Sequence, residues 1–467
     1  MLPSLLDPVL WSLTAGEVAG VAFGDAGALQ RLQDRRLKSL VSGAQRDSPW
    51  FRRLLKGMDP ARATLRDLPV TRKHELMRHF DDWVTDARVT RQGLQQFVAD
   101  SRRIAQPYLG RYMVWQSSGS TGEPGLFVQD SHAMAVYDAL EALRRPWTLR
   151  RWLDPCYLGE RLVFVGAAGG HFASIVATRR LQRLNPALAL NLKDVSFLRP
   201  LAELVRELNA LAPTLLSTYP SAALLLAEEC AAGRLALPLK EVWTGGETLT
   251  PAMRDFVQGV FGCPVIDSYG ASEFLPLAFQ CARGRLHLNA DWVILESVDA
   301  RGHAVAAGEL GATTLLTNLA NRVQPLIRYE LGDRVALGGQ DCGCGSPLPT
   351  LEVQGRQDDM LSLGRGPQPL RLLPLALCTV LEDDAGLFNF QLRQTGPNSL
   401  QLSTTAEDAA ARAQLTRAGA VLGDYLRGQG ARGVHIDCRA GQAPQRGRSG
   451  KAPRVIGLGS APPGERR

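Results

Sequence analysis

The sequence predicts an α/β fold: a large amino-terminal domain of several subdomains with mainly parallel sheet, and a small α+β domain at the carboxyl end. Three observations carry that expectation. Strand-like and helix-like runs alternate between residues 110 and 330, the pattern of parallel strands joined by crossover helices. Residues 1–105 show helical periodicity alone. Beyond Asp291 the helical runs give way to strands and turns. With 467 residues, 45% of them hydrophobic, the chain can bury the cores of two or three domains.

Taken in order, "ALQRLQDRRLKSLVSGA" and "GLQQFVADSRRIA" space their apolar residues as helices do. "DLPVTRKHELMRHF" reads as a helix opened by Thr71 as N-cap, with Glu75 in its first turns. Then "RLVFVGAAGG", "PTLLSTYPS", "KEVWTGGE" and "CPVIDSYGASE" each read as strand and turn. Between them "SFLRPLAELVRELNAL", "AALLLAEECAAG" and "PAMRDFVQGVFG" read as helices, so loops at the carboxyl ends of the strands gather where α/β folds bind ligands. "WVILESVDARGHAV" and "GELGATTLLTNLA" mark a β-rich subdomain over 291–355. "GRQDDMLSLGRGPQP" is polar and rich in turn formers, a linker leading into the last unit of about a hundred residues. The tail "GSAPPGERR" reads as disordered.

The net charge of +7 does not point to nucleic acid, because the basic residues are scattered, often beside acids, with no long basic run. They suit acidic small molecules at least as well. The first twenty residues lack a basic start and contain Asp7 and Pro8, a poor signal peptide. No run of about eighteen apolar residues offers a membrane span. Eight cysteines in so long a chain do not make a disulfide framework. The expectation is a cytoplasmic protein without membrane insertion.

Neither G-x-x-x-x-G-K-[ST] nor a strand–helix G-x-G-x-x-G is present; "GAAGGHF" begins like the former but has His171 at the lysine position. The stretch "WQSSGSTGEPG", Trp115 to Gly125, is built differently. Gly119 and Gly122 allow positive φ, and consecutive N–H groups with the hydroxyls of Ser117, Ser118, Ser120 and Thr121 can wrap an anion. Alone, the loop reads equally as a linker. Asp333 in "RYELGD" is an acceptor-only group suited to paired ribose hydroxyls, or a turn residue after Gly332. Lysine is scarce: of 53 basic residues six are Lys, and after Lys240 only Lys451 remains, in "RSGKAPR". A compact ammonium on a flexible stem is the property arginine cannot replace.

The ordered series "SSGSTGEP", "TYPS", "TGGE", "DSYGASE", "IRYELGD", "GRQDD" and "RSGKAPR" resembles the adenylate-forming (AMP-binding) superfamily, in its phenylacetate–CoA ligase and coenzyme F390 synthetase-related branch. The likeness runs from about Arg111 to Arg454. It implies an adenylation domain over 1–355, a hinge over 356–360 and a mobile lid over 361–467. It further implies that the Ser117–Gly122 loop clasps the phosphates of ATP. Gly245, Gly246 and Glu247 would lie by the adenine and the acyl group. Ser268, Tyr269 and Gly270 would flank the adenine, and Glu273 would help hold Mg²⁺, which prefers hard oxygen ligands and phosphates. Asp333 and Arg356 fall at the ribose, Asp358 at the hinge, and Lys451 beside the carboxylate and α-phosphate as charge develops. Tyr137, His171, Phe172 and Tyr219 are candidates for the acid pocket, their rings suiting an aryl acid. Family members often carry Lys where Glu123 stands, so Glu123 is expected to face solvent or pair with an arginine.

The implied activity is ATP-dependent activation of a carboxylic acid, followed by transfer to the thiol of coenzyme A or of an acyl-carrier protein's phosphopantetheine. Transfer of AMP to a hydroxyl and non-catalytic nucleotide binding stay open as alternatives, as does a homodimer. Cys281 and His287 in "CARGRLH", with Cys342 and Cys344 in "DCGCG", form a candidate four-ligand structural Zn²⁺ site. Reduced packing cysteines are the equal alternative. Cys156, Cys230, Cys263, Cys378 and Cys438 have no partner spacing and read as packing residues.

Overall fold

The computed structural model describes residues 7–117, 125–145, 154, 157–339, 342–354, 360–364, 369–445 and 453–458. Ser118, Gly119, Ser120, Thr121, Gly122, Glu123, Cys156, Arg356, Asp358 and Lys451 lie outside them.

The lead-in is helical: α1 (Pro8–Gly20), α2 (Ala26–Asp47), α3 (Pro49–Leu54), α4 (Lys73–Arg78), α5 (Phe80–Trp83) and α6 (Arg91–Val98). Asp7, Asp25 and Thr90 accept from the first N–H groups of α1, α2 and α6, satisfying donors that a helix start leaves open. Thr71 does not cap α4, as the sequence suggested. Its hydroxyl donates to Ile327 O at 2.9 Å and its backbone bridges Tyr329, so the helix begins two residues later.

A hairpin of β1 (Met113–Gln116) and β2 (Leu126–Gln129) follows, then α7 (Ser131–Arg144). The sheet strands are β3 (Leu162–Gly166), β4 (Leu192–Ser196), β5 (Leu215–Thr218), β6 (Glu241–Thr244), β7 (Val265–Ala271), β8 (Phe274–Gln280) and β9 (Leu286–Leu288). The intervening helices are α8 (Ala173–Leu184), α9 (Pro186–Asn191), α10 (Leu201–Leu211), α11 (Pro220–Ala231) and α12 (Pro251–Phe261). From β3 to β7 each pairing is parallel, because each crossover carries a helix. At Ser272–Glu273 the chain turns in two residues, so β8 returns antiparallel and Glu273 sits at a hairpin tip.

Next come β10 (Val293–Val298), β11 (Thr313–Asn318), β12 (Tyr329–Glu330), β13 (Arg334–Leu337) and β14 (Thr350–Gln354). Among the described residues, β10, β11 and β12 form their own three-stranded sheet, whereas β13 and β14 extend the main one. Its order is β13-β14-β9-β8-β7-β6-β5-β3-β4. The stretch 291–355 is therefore shared between two sheets instead of forming one separate unit.

The segment expected to be a linker contains a strand: β15 (Leu361–Leu363) pairs with β16 (Leu370–Leu372), burying Leu361, Leu363 and Leu372. After α13 (Pro374–Thr379) and a π-helical turn at Val380–Asp384, the last unit builds a sheet in the order β19-β18-β17-β20. These strands are β17 (Gln391–Gly396), β18 (Ser399–Ser403), β19 (His435–Arg439) and β20 (Val455–Ile456), with α14 (Ala409–Gly428) packed alongside. Residues 361–455 have their own core, with Leu392, Leu400, Leu402 and Leu422 at its centre. Leu373 and Ala376 reach across into the core beneath β3–β7, while Arg371 pairs with Glu228 at 3.2 Å. No helix of the described residues is long and apolar enough to cross a membrane.

Candidate active site

One cavity of about 1920 Å³ opens along the carboxyl ends of β5, β6 and β7. The β1–β2 hairpin brings Gln116 and Ser117 to its wall. Ser117 N donates to Gly125 O at 2.9 Å and Gly125 N to Ser117 Oγ at 3.0 Å, so the two ends of the loop are tied together. Buried Trp115 anchors the hairpin by donating from Nε1 to Ser272 O at 2.8 Å, beside the turn that carries Glu273.

Gly245 and Gly246 form one edge. A Cβ on Gly245 would lie 2.8 Å from Ser268 Oγ, and Gly246 has φ +79° with the Tyr219 ring about 3 Å from its missing Cβ. Side chains are excluded there, which leaves backbone for a flat ligand to lie against. Ser268 Oγ donates to Thr244 O at 3.0 Å and thereby locks the two motifs together. Glu247 accepts from Ser221 N at 3.0 Å at the start of α11, so its carboxylate braces the cavity wall.

Tyr269 is buried and its hydroxyl donates to Asp333 Oδ2 at 2.9 Å. That bond orients the carboxylate, which retains acceptor capacity for a diol. Burial, then the Asp333 charge, push the Tyr269 hydroxyl well above its ordinary pKa. Burial also raises the Glu273 carboxyl, opposed by the Lys73 ammonium and a Tyr329 hydrogen bond. A buried carboxyl held by so little positive charge fits a divalent cation with phosphates.

Lys73 was not singled out from the sequence. It stands at the first position of α4, lines the cavity, and its Nζ lies 3.3 Å from Ser117 Oγ. The rarity of lysine that pointed to Lys451 applies to it equally, and was the available signal.

Tyr137, Phe172 and Tyr219 line the cavity together, Tyr137 edge-on to Phe274 at 4.9 Å. Tyr137 donates to Gln129 Oε1 at 3.1 Å; the Tyr219 hydroxyl lies 3.4 Å from Ser174 Oγ and is pushed up to about 12 by burial. His171 is not among the lining residues. It is buried on the other side of its loop, where Nε2 bonds Asp100 O at 3.1 Å and the ring meets Phe97. Burial lowers its pKa, as expected of a neutral core imidazole.

Asp267, on β7 at the cavity, accepts from Thr244 Oγ1 at 2.8 Å, and burial raises its pKa to about 6. Its folded-state pKa thus exceeds its unfolded value. Stability from this group is present at acid pH and is lost as pH climbs towards and through 6, because the ionised carboxylate is poorly solvated. Asp267→Asn should leave denaturant stability at pH 4 unchanged and raise it at pH 8 by on the order of 2–3 kcal/mol.

The ligand atoms of Cys281, His287, Cys342 and Cys344 all lie within 4.8 Å of one another. Cys281 and Cys342 sulfurs are 3.8 Å apart, and Cys344 Sγ is 3.4 Å from His287 Nε2. Zn–S bonds of about 2.3 Å in a tetrahedron place sulfurs about 3.8 Å apart, so the spacing fits. His287 Nδ1 bonds Leu348 O at 2.7 Å, which turns Nε2 to the sulfurs. Among the described cysteines, Cys230, Cys263, Cys378 and Cys438 lie outside this cluster.

Hairpin, glycine edge and Tyr269–Asp333 pair meet around one cavity at the carboxyl ends of parallel strands, where α/β folds bind their ligands. The family model for AMP-binding enzymes matches residues 112–301, the stretch that holds four of the seven motifs. The chain is 28% identical over 356 residues to phenylacetate–coenzyme A ligase of Thermus thermophilus, covering 71% of each chain. A shorter likeness, 28% identity over 135 residues and 28% of each chain, is to Protein CapK of Staphylococcus aureus. In fold it is similar to a 2-hydroxyisobutyryl-CoA ligase solved with 2-HIB-AMP and CoA, at TM-score 0.58 and 22% identity over 92% of this chain and 90% of that one.

Proposed function

We propose that the protein joins a carboxylic acid, an aromatic one, to a thiol at the expense of ATP. A carboxylate oxygen attacks the α-phosphorus, the bond to the β-phosphate breaks, and pyrophosphate leaves. A thiol sulfur of coenzyme A or of a carrier protein's phosphopantetheine then attacks the acyl carbon, AMP departs, and the thiol proton passes to solvent. The observation that supports this reading is the meeting of Ser117, Glu273, Asp333 and the rings of Tyr137, Phe172 and Tyr219 around one cavity. The match to the AMP-binding enzyme model supports acid activation in general; the similarity to a phenylacetate–CoA ligase and the aromatic walls support an aryl acid.

In this reading Lys73 and the Ser117 loop hold the phosphates, Glu273 would hold Mg²⁺, which when bound would neutralise phosphate charge, and Tyr269 keeps Asp333 aimed at the ribose. Lys451 and Arg356 complete the charge around the reacting atoms, and residues 361–467 pivot near Asp358 between the two half-reactions. The test is acid-dependent pyrophosphate release over a panel of aryl and fatty acids, with and without coenzyme A. Release that needs an acid, with thioester appearing only when thiol is present, supports the proposal. A stable AMP adduct on a hydroxyl without thiol dependence replaces it, and nucleotide binding without release removes it.

The Cys/His cluster is proposed to hold one structural Zn²⁺. Metal analysis of purified protein should give about one zinc per chain, and Cys344→Ser should lose it and unfold at a lower temperature. Protein free of zinc with unchanged stability would remove the assignment.

A further inference from the structure

Behind the cavity wall, the segment that joins β11 to β12 carries three buried amides at every third residue, Asn318, Asn321 and Gln324. The first two each close a turn of their own. Asn318 Oδ1 accepts from Ala320 N at 2.9 Å and Asn321 N at 3.1 Å. Asn321 Oδ1 accepts from Val323 N and Gln324 N, both at 3.0 Å. Because both oxygens face backbone N–H groups, the network fixes which end of each amide is nitrogen. The nitrogens point away from the segment, towards separate parts of the site.

Asn318 Nδ2 donates to Glu273 O at 2.9 Å and to the Tyr137 hydroxyl at 3.2 Å. Tyr137 in turn donates to Gln129 Oε1, so its one proton is committed within the protein and the ring is what it offers the cavity. Asn321 Nδ2 donates to Val128 O at 2.7 Å and to the same Gln129 Oε1 at 3.0 Å, which closes the network. Gln324 pairs with β2 as a backbone would, its Nε2 donating to Leu126 O and its Oε1 accepting from Val128 N, each at 2.8 Å. None of the three amides lines the cavity. They hold the parts that do: the Glu273 turn, the Tyr137 ring and the β1–β2 hairpin, which different elements carry. A misplacement of about 1 Å at such parts can slow a reaction on the order of a hundredfold.

We infer that Asn318 is a positioning residue for acid activation, fixing the Glu273 turn and the Tyr137 ring with one amide, while Asn321 and Gln324 hold the hairpin in register with both. The inference rests on the acid-activating reading above and names residues that serve it from outside the cavity. Asparagine suits the position because one planar NH₂ group carries two donors at a fixed angle. An aspartate there would keep the acceptor for Ala320 N and Asn321 N, but would turn an oxygen towards Glu273 O and the Tyr137 hydroxyl. With the amide in place, metal-binding turn and acid-pocket ring are set before either ligand arrives, the preorganisation that lowers a barrier.

The experiment compares Asn318→Asp, Tyr137→Phe and the double variant with the native full chain. Calorimetry measures ATP binding with and without Mg²⁺, and pyrophosphate release with phenylacetate gives kcat and KM. Ser297→Ala, which removes a buried hydrogen bond to Val335 O at 2.7 Å on neighbouring β10, controls for a purely structural loss. In Asn318→Asp, ATP binding with Mg²⁺ should weaken by about ten- to a hundredfold, the range for groups that orient a metal ligand, with Mg²⁺-free binding within about threefold. Its kcat should fall by a similar factor. Tyr137→Phe should lower kcat/KM for phenylacetate about tenfold, and the double variant should stay within about threefold of Asn318→Asp, because both changes remove one shared bond. Equal weakening of ATP binding with and without Mg²⁺, the same pattern in Ser297→Ala, or additive losses in the double variant overturn the inference. Should Asn318→Asp fail to fold, Asn318→Ser, which keeps one donor instead of two, is held to the same thresholds. If no acid releases pyrophosphate, the ligase reading falls, and the ATP-binding comparison alone then decides for or against Asn318. A native chain that binds no ATP overturns both.

Discussion

Replacing Lys451 by alanine should slow acid-dependent pyrophosphate release by roughly a hundred- to a thousandfold, the range seen when one preorganised donor is removed from a developing negative charge. The carboxylate and the α-phosphate repel each other, and in the proposed reaction the Lys451 ammonium relieves that repulsion as the new bond forms. Thioester formation from a pre-made acyl-adenylate should stay within about threefold if, as proposed, the lid carries the lysine away between the half-reactions. The two half-reactions are measured separately, by pyrophosphate exchange and by thiol consumption. Equal turnover of the variant in the first would remove the assigned role. Lys451→Arg is the sharper control: if charge alone mattered it would rescue, and the planar guanidinium on a chain otherwise rich in arginine should not.

The second large effect concerns how the segment beyond Lys451 is held. Arg454 and Glu382 are both buried and ion-paired, and Arg454 also donates to Phe388 O at 3.1 Å and stacks over Phe390 at 4.2 Å. Leu392 N donates to Arg454 O at 2.7 Å, where β20 joins β17. Arg454→Met takes the guanidinium away from a buried carboxylate, a loss of about 3–5 kcal/mol. Urea unfolding of the full chain, followed by α14 helicity, should show an earlier transition for the carboxyl-terminal unit. Combining Arg454→Met with Glu382→Leu should recover most of it, since both charges are then gone. A double variant as unstable as the single one would assign the loss to packing.

The run from β3 to β7 was legible because fully or half-buried strands alternate with amphipathic helices, and that periodicity is local. What escaped is what depends on a distant partner. "LKDVS" became β4 although one of its residues is exposed, because β3 offers it a parallel edge. Thr71 looked like a cap until Ile327, far along the chain, took its hydroxyl. "MLSL" lay among turn formers, and only pairing with "LRL" made it a strand. In the site, Tyr137, Phe172 and Tyr219 line one cavity, but His171 turned the other way: adjacent residues in an extended loop point to opposite sides. Lys73 carried no glycine-rich signature, and its place follows from how α4 packs, which no short motif encodes.

The path of the main sheet has a consequence for how the chain is made. Leu286 of β9 pairs with Leu351 of β14, so the antiparallel flank stays unfinished until the last strand of the amino-terminal part has been synthesised. Until then the ribosome holds a chain whose parallel block can close while β9 presents open N–H and C=O groups to its neighbours. The two halves of the Cys/His cluster flank that same late pairing. A nascent chain stalled before residue 342 would lack both the covering strand and two of its four sulfur and nitrogen groups, and that is the length at which chaperone capture should peak.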